Sequence, residues 1–148
     1  MNIDQLREEL KVDEGVKYEI YLDHLGLPTF GIGHLVLESD PEHGQPVGTS
    51  VSEDRVNECF ARDVNVVLEE CKKLLPSFEV LPEEVQLIIA NMMFNMGRPR
   101  LSKFKNFLAA VAISNWQEAA NQMVDSRWYR QVTNRAERLV KRMRNVAI

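Results

Sequence analysis

The sequence predicts an α+β protein, mainly α, organised as two lobes around a long helix. Three observations carry this expectation. Residues 52–75 hold a continuous apolar stripe at helical spacing. The alternation that marks strands is confined to residues 17–34. Nearly everything after Pro82 returns to helical periodicity, punctuated by capping residues. The chain has 148 residues, 45% of them hydrophobic, so it can bury a real core within one domain. The expected plan is a small antiparallel β lobe at 15–51 and a connecting helix at 52–75. A helical lobe is formed by 1–14 and 76–148.

The elements follow in order. Ile3, Leu6, Leu10 and Val12 stand among charges and predict an amphipathic helix over 3–12. Asn2 suits its N-cap, and Gly15 the position just past its end. Tyr18, Ile20 and Leu22 alternate with Glu19, Tyr21 and Asp23, "DHLGLP" carries turn residues, and "TFGIGH" alternates again. This predicts a β-hairpin, with a third strand in 44–51. Ser52 caps the long helix, and Pro76 ends it. Pro82 is placed to open the next helix at its first position, and that helix, apolar nearly all round, stops at Gly97. Shorter helices are expected at 101–112, 115–124 and 126–131, with Ser114 and Asp125 as caps, and a last one at 134–145.

Composition excludes several classes. No apolar run approaches the ~18 residues of a membrane span, so no stable membrane association is expected. The N-terminus lacks a basic segment leading into an apolar one; no secretory signal is visible, and a cytoplasmic origin is expected. Cys59 and Cys71 lie within one helix, ~18 Å apart at ~1.5 Å per residue, too far for a disulfide. Neither belongs to a Cys/His cluster, so no metal site is expected. Charge is uneven: residues 1–63 hold 14 acids against 5 bases, while 126–148 hold 7 bases against 1 acid. The basic segment is either a solvated helix face or a surface for an anionic partner. A nucleic-acid partner is disfavoured, because few aromatics are interleaved with those bases.

The segment "DEG" at 13–15 raises a chemical question. A helix C-terminus favours cations, yet Asp13 and Glu14 end this helix. Asp23 in the hairpin turn and Thr29 at the start of the returning strand lie close to each other in such a hairpin. One carboxylic acid plus one carboxylate is the requirement of glycoside hydrolysis. On spacing alone, ordinary surface acids give the same pattern. Gly31 and Gly33 in "GIG" weaken a strand and mark a close approach.

The stretch "DEG...YLDHLGLPTFGIGH" resembles the phage-type lysozymes, glycoside hydrolase family 24. The likeness continues in "FARDVN", "NMMFNMG", "WQEAA" and "SRWYRQVTNRAERL", covering nearly the whole chain. The resemblance implies a two-lobed lysozyme fold with a polysaccharide-binding cleft. It also implies hydrolysis of the β-1,4 bond between N-acetylmuramic acid and N-acetylglucosamine in peptidoglycan, with inversion and without a cofactor. In that pattern Glu14 is the general acid, and Asp23 and Thr29 position the water. Leu35, Phe94, Asn95, Phe107 and Gln122 match substrate-binding positions, although Asn95, Phe107 and Gln122 depart from the family's residue types. Arg135 matches an arginine that serves Glu14 as counter-charge. A monomeric endolysin, released from the host cytoplasm to the wall, is the expected form. The alternative is a non-catalytic wall-binding or virion structural module of the same fold. His34 is expected to pair with Asp63 on the long helix, a structural role. Trp116, Trp128, Met92, Met93 and Met96 are expected in the core.

Overall fold

The computed structural model describes residues 1–146. The elements are α1 (Ile3–Glu14), β1 (Lys17–Leu22), β2 (Pro28–Gly31), β3 (His34–Leu35), α2 (Glu53–Leu74), α3 (Glu83–Met96), α4 (Arg98–Leu101), α5 (Lys105–Ala112), α6 (Trp116–Val124), α7 (Arg127–Gln131) and α8 (Thr133–Arg144). A 3-10 turn at Phe78–Val80, not anticipated from the sequence, precedes α3. The described residues thus form a mainly helical α+β fold with one small antiparallel sheet. Positions 147 and 148 of the expected helical lobe lie outside the described residues. The chain divides into two compact units, one Arg7–Val66, the other Met1–Leu6 with Val67 onward.

In the unit Arg7–Val66, α1 runs two residues beyond the expected end. Gly15 adopts φ +75°, and its N–H closes on Lys11 O at 2.9 Å, so the helix stops on Glu14 itself. At the other end of α1, Asn2 Oδ1 accepts from Gln5 N at 3.0 Å, as the sequence predicts. The sheet order is β1-β2-β3. β1 pairs with β2 through Tyr21 opposite Thr29 and Leu22 opposite Pro28, with a register irregularity between Lys17 and Tyr21. That irregularity breaks the expected two-residue alternation. Only Ile20 is buried, whereas Tyr18 and Leu22 are about half exposed.

The third strand is His34–Leu35, not a strand in 44–51. Pro46 has no N–H to give, and Gly44 and Gly48 turn the chain at positive φ. The segment still serves β1: Ile20 N–H donates to Thr49 O, Gly48 N–H to Ile20 O and Val51 N–H to Tyr18 O, all within 2.9 Å. α2 begins as predicted, with Ser52 Oγ accepting from Arg55 N at 3.1 Å. Its stripe is buried at Val56, Cys59, Phe60, Val64, Val67 and Cys71. Both cysteines are free thiols.

In the other unit, α3 is the central helix. Every residue from Val85 to Met93 is buried, and Met96 again. Each fully buried Val, Leu, Ile or Met adds ~1.5–3 kcal/mol, so this helix is a large share of the unit's stability. Pro82 stands at its N-cap, one place before the expected position, and Gly97 ends it at φ +78°. Trp116 and Trp128 are core residues, as expected.

Two capping assignments differ from expectation. Asn115, not Ser114, caps α6, accepting from Glu118 N; Ser126, not Asp125, caps α7, accepting from Tyr129 N. Ser114 has φ +57°, and the pairs Asn115 N–Ala110 O and Ser114 N–Val111 O close the end of α5. Ser114 therefore terminates one helix instead of starting the next, in a Schellman closure. Among the described residues no helix is long and apolar enough to cross a membrane.

Candidate active site

Glu14, Asp23 and Thr29 all belong to the unit Arg7–Val66. α1 delivers Glu14 half-buried at its last residue. The glycine at 33 makes its position possible. Gly33 has φ +62°, and a Cβ there would lie 2.7 Å from Glu14 Oε1. Gly31, also at positive φ, faces Val56 Cγ1 at 3.0 Å instead. The two glycines that the sequence marks as a close approach thus have different neighbours: one meets the core, the other the carboxylate. Gly33→Ala is expected to displace the Glu14 carboxyl and to add backbone strain of ~1–3 kcal/mol. Urea unfolding and wall clearing, measured on the same preparation, read the two effects. Unchanged stability with unchanged activity would show that Glu14 does not need that space.

Asp23 organises the hairpin turn. Its Oδ1 accepts from Leu25 N at 2.8 Å and from Leu27 N at 2.9 Å, while its backbone N–H donates to Leu27 O. One carboxylate oxygen is therefore held by the turn, and Oδ2 makes no hydrogen bond among the described residues. Thr29 is buried, and its hydroxyl donates to Leu27 O at 2.9 Å. With its proton so engaged, Thr29 Oγ1 presents lone pairs, an acceptor for a water proton.

Tyr21 links the three. It sits opposite Thr29 across β1 and β2. Its phenol is pushed up from the usual value, first by burial and then by the negative charges of Glu14 and Asp23. Both carboxylates thus act on one side chain, with Lys17 Nζ 4.6 Å from its ring centre. In the sequence Tyr21 is marked only by its alternation with Ile20 within the hairpin, a pattern that signals a strand and no chemistry.

The remaining predicted residues are distributed as follows. Leu35 lies on β3, 44% exposed. Asn95 Oδ1 accepts from Trp128 Nε1 at 2.7 Å, which satisfies the buried indole. Phe94, beside it on α3, is half-buried. Gln122 on α6 donates through Nε2 to Glu118 Oε1 at 2.8 Å. Phe107 is almost wholly buried and meets Phe104 edge-on at 6.4 Å, so little of its ring is left for a ligand. Arg135 is buried on α8, its Nε donating to Asn91 Oδ1 at 2.8 Å.

His34 pairs with Asp63 as anticipated, Nδ1 to Oδ2 at 2.7 Å. A second acid, Asp40, was not foreseen: its Oδ2 stands 2.8 Å from His34 Nε2. Arg55 continues the network to Asp40 Oδ1 at 3.1 Å and to both oxygens of Glu42. Among the described residues no cluster of three His, Cys, Asp or Glu side chains could hold a metal.

Comparison with known proteins agrees with this picture. The phage lysozyme family profile matches residues 11–145. Probable T4-type lysozyme 2 of Dictyostelium discoideum is 30% identical over 93% of this chain and 92% of its own length. The pre-baseplate central spike protein Gp5 of Enterobacteria phage T4 is 29% identical over 90% of this chain but only 26% of its own. The peptidoglycan hydrolase gp36 of Pseudomonas phage phiKMV is 30% identical over 93% of this chain and 15% of its own. A match extending over nearly the whole chain, on a mainly helical fold with a small sheet, makes this protein a member of the phage lysozyme family.

Proposed function

We propose that the protein is a muramidase: a glycoside hydrolase that cleaves the β-1,4 bond between N-acetylmuramic acid and N-acetylglucosamine in bacterial peptidoglycan. Glu14 is the general acid, and protonates the leaving glycosidic oxygen. Asp23 Oδ2 and Thr29 Oγ1 hold the attacking water between them. Asp23 takes its proton as the water adds to the anomeric carbon from the face opposite the leaving group. The result is inversion. The observation that best supports this is the hydroxyl of Thr29. Its proton is engaged by Leu27 O, so the oxygen acts as an acceptor beside an Asp23 carboxylate with one oxygen held by the turn. The enzyme acts as a monomer, reaching the wall from the cytoplasm in which it is made.

The experiment is hydrolysis of purified cell walls followed by proton NMR of the new reducing ends. The α-anomer is expected to appear first and then mutarotate; a β-anomer appearing first would overturn the inverting assignment. Asp23→Ala is expected to slow release of reducing ends by about 10²–10⁴-fold. The likeness to a spike protein supports a second reading, a non-catalytic wall-binding module of the same fold. Sedimentation of the protein with walls, without release of any reducing end, would favour it.

A further inference from the structure

Thr29 stands opposite Tyr21 on β1 and opposite Leu35 on β3, so these side chains form one row across a single face of the sheet. Asp23 lies two residues beyond Tyr21. Its backbone N–H still pairs with Leu27 O, which keeps it on the same face. The side chains of this face differ in what they offer a water molecule. Leu35 is apolar. Asp23, ionised as the base of the proposed mechanism, only accepts. Thr29 has committed its proton to Leu27 O at 2.9 Å, so its oxygen also only accepts. Tyr21 alone has a proton left to give, because its hydroxyl makes no hydrogen bond among the described residues. The phenol is also held in place. β1 is irregular between Lys17 and Tyr21, and Lys17 Nζ lies over the ring, 4.6 Å from its centre. Burial, and then the negative charges of Glu14 and Asp23, push the phenol above its usual pKa. It therefore remains a protonated donor wherever a carboxylic acid can still protonate a leaving group, and it feels both carboxylates at once.

We infer that Tyr21 completes the water site: its hydroxyl donates to the attacking water whose protons Asp23 Oδ2 and Thr29 Oγ1 accept. The inference rests on the muramidase reading and adds a catalytic residue to its mechanism. A water has two protons and two lone pairs. For inversion, one lone pair must point at the anomeric carbon. Asp23 and Thr29 occupy the protons, and the second lone pair is left without a partner. Held by its protons alone, the water swivels about the line between its acceptors, and the attacking lone pair swings off the carbon. A donor on the second lone pair stops that rotation. Tyr21 supplies the donor from the strand paired with Thr29. The gain is one of orientation, since a donor withdraws a little electron density from the nucleophile. As the bond from the water oxygen to the anomeric carbon forms, the glycosidic bond breaks. Asp23 takes a proton from the water, Glu14 gives one to the leaving oxygen, and Tyr21 keeps its own.

The test compares the wild type with Tyr21→Phe, which keeps the ring, its contact with Lys17 and the strand pairing, and removes only the hydroxyl. Release of reducing ends is measured on soluble glycan chains prepared from walls, and thermal melts follow both proteins. The hydroxyl has no protein partner to lose, so Tm is expected to be unchanged. The kcat is expected to fall about tenfold, the upper worth of one hydrogen bond. KM should stay the same, because the bond is made to the water and not to the sugar. A loss carried by KM alone would make the hydroxyl a sugar contact and overturn the inference. Equal rates in the two proteins, or a Tm that falls together with the rate, would overturn it as well. A wild type that releases no reducing ends removes the muramidase reading and the inference with it. That outcome is distinct from an active wild type matched by its variant, which removes the inference alone.

Discussion

Glu14→Gln is expected to abolish wall clearing while leaving the protein folded. The substitution keeps the shape of the side chain and removes only the proton that must reach the leaving oxygen. General acid catalysis is worth about 10²–10⁴ in rate, so activity should fall by at least that factor. The structural cost should be small or negative. Glu14 ends a helix, where a negative charge opposes the dipole. A neutral amide removes that opposition, and so thermal stability should hold or rise. The pairing of results is the informative part. Lost activity with lost stability would point to a structural role for the carboxyl. Normal lysis by the variant would remove Glu14 from the mechanism altogether. Gln fits where Glu does, so the Gly33 space is not in question in this variant; that is why Glu14→Gln and Gly33→Ala separate the chemistry of the carboxyl from its placement.

What the sequence made visible was mostly local. Asn2 and Ser52 cap their helices because an N-cap needs only a side-chain oxygen next to the turn it satisfies. The stripe of α2 and the all-round apolarity of α3 are periodic over many residues, and both are buried as read. The misses have a common physical origin. Ser114 closes a helix because it adopts a left-handed conformation that no neighbour in sequence demands. A strand of two residues, His34–Leu35, has no period to detect. The spacing of Glu14, Asp23 and Thr29 was legible as a motif, and the hairpin explains how Asp23 and Thr29 come close. Asp40 was not legible: in "ESDPEHG" it reads as one more solvated turn acid. Its burial depends on Arg55, fifteen residues away, and on His34. The family resemblance puts Phe107 at a sugar-binding position, and only the packing reveals that its ring is enclosed.

The buried network around His34 carries the largest expected effect on stability. His34 is 5% exposed and lies between two carboxylates, Asp63 at 2.7 Å and Asp40 at 2.8 Å. Burial alone would pull its pKa down. Hydrogen bonds to Asp63 and Asp40, together with their charges, outweigh that and leave it raised. Burial likewise opposes ionisation of Asp40, but the Leu37 N–H, the His34 imidazolium and Arg55 hold its carboxyl below the usual range. His34→Gln leaves two acids facing each other across a neutral amide. Removing one partner of a buried pair costs about 3 kcal/mol or more. At ~2–4 °C per kcal/mol for a chain of this size, Tm should fall by about 6–12 °C. The loss should depend on pH in a defined direction. Because the folded pKa of His34 lies above its unfolded value of about 6.5, the stabilisation is full below that value and is lost as pH rises through the folded pKa. Asp40 acts oppositely: its share is present above its unfolded value of 3.8 and is lost as pH falls through the lower folded one. The gap in stability between wild type and His34→Gln should therefore be widest near pH 5–6. It should close on the alkaline side, where a neutral imidazole between two carboxylates offers little more than the amide does. Thermal melts of both proteins from pH 4 to pH 9 measure this. A gap that stays constant as pH rises would show that packing, not the imidazolium, holds this corner of the fold.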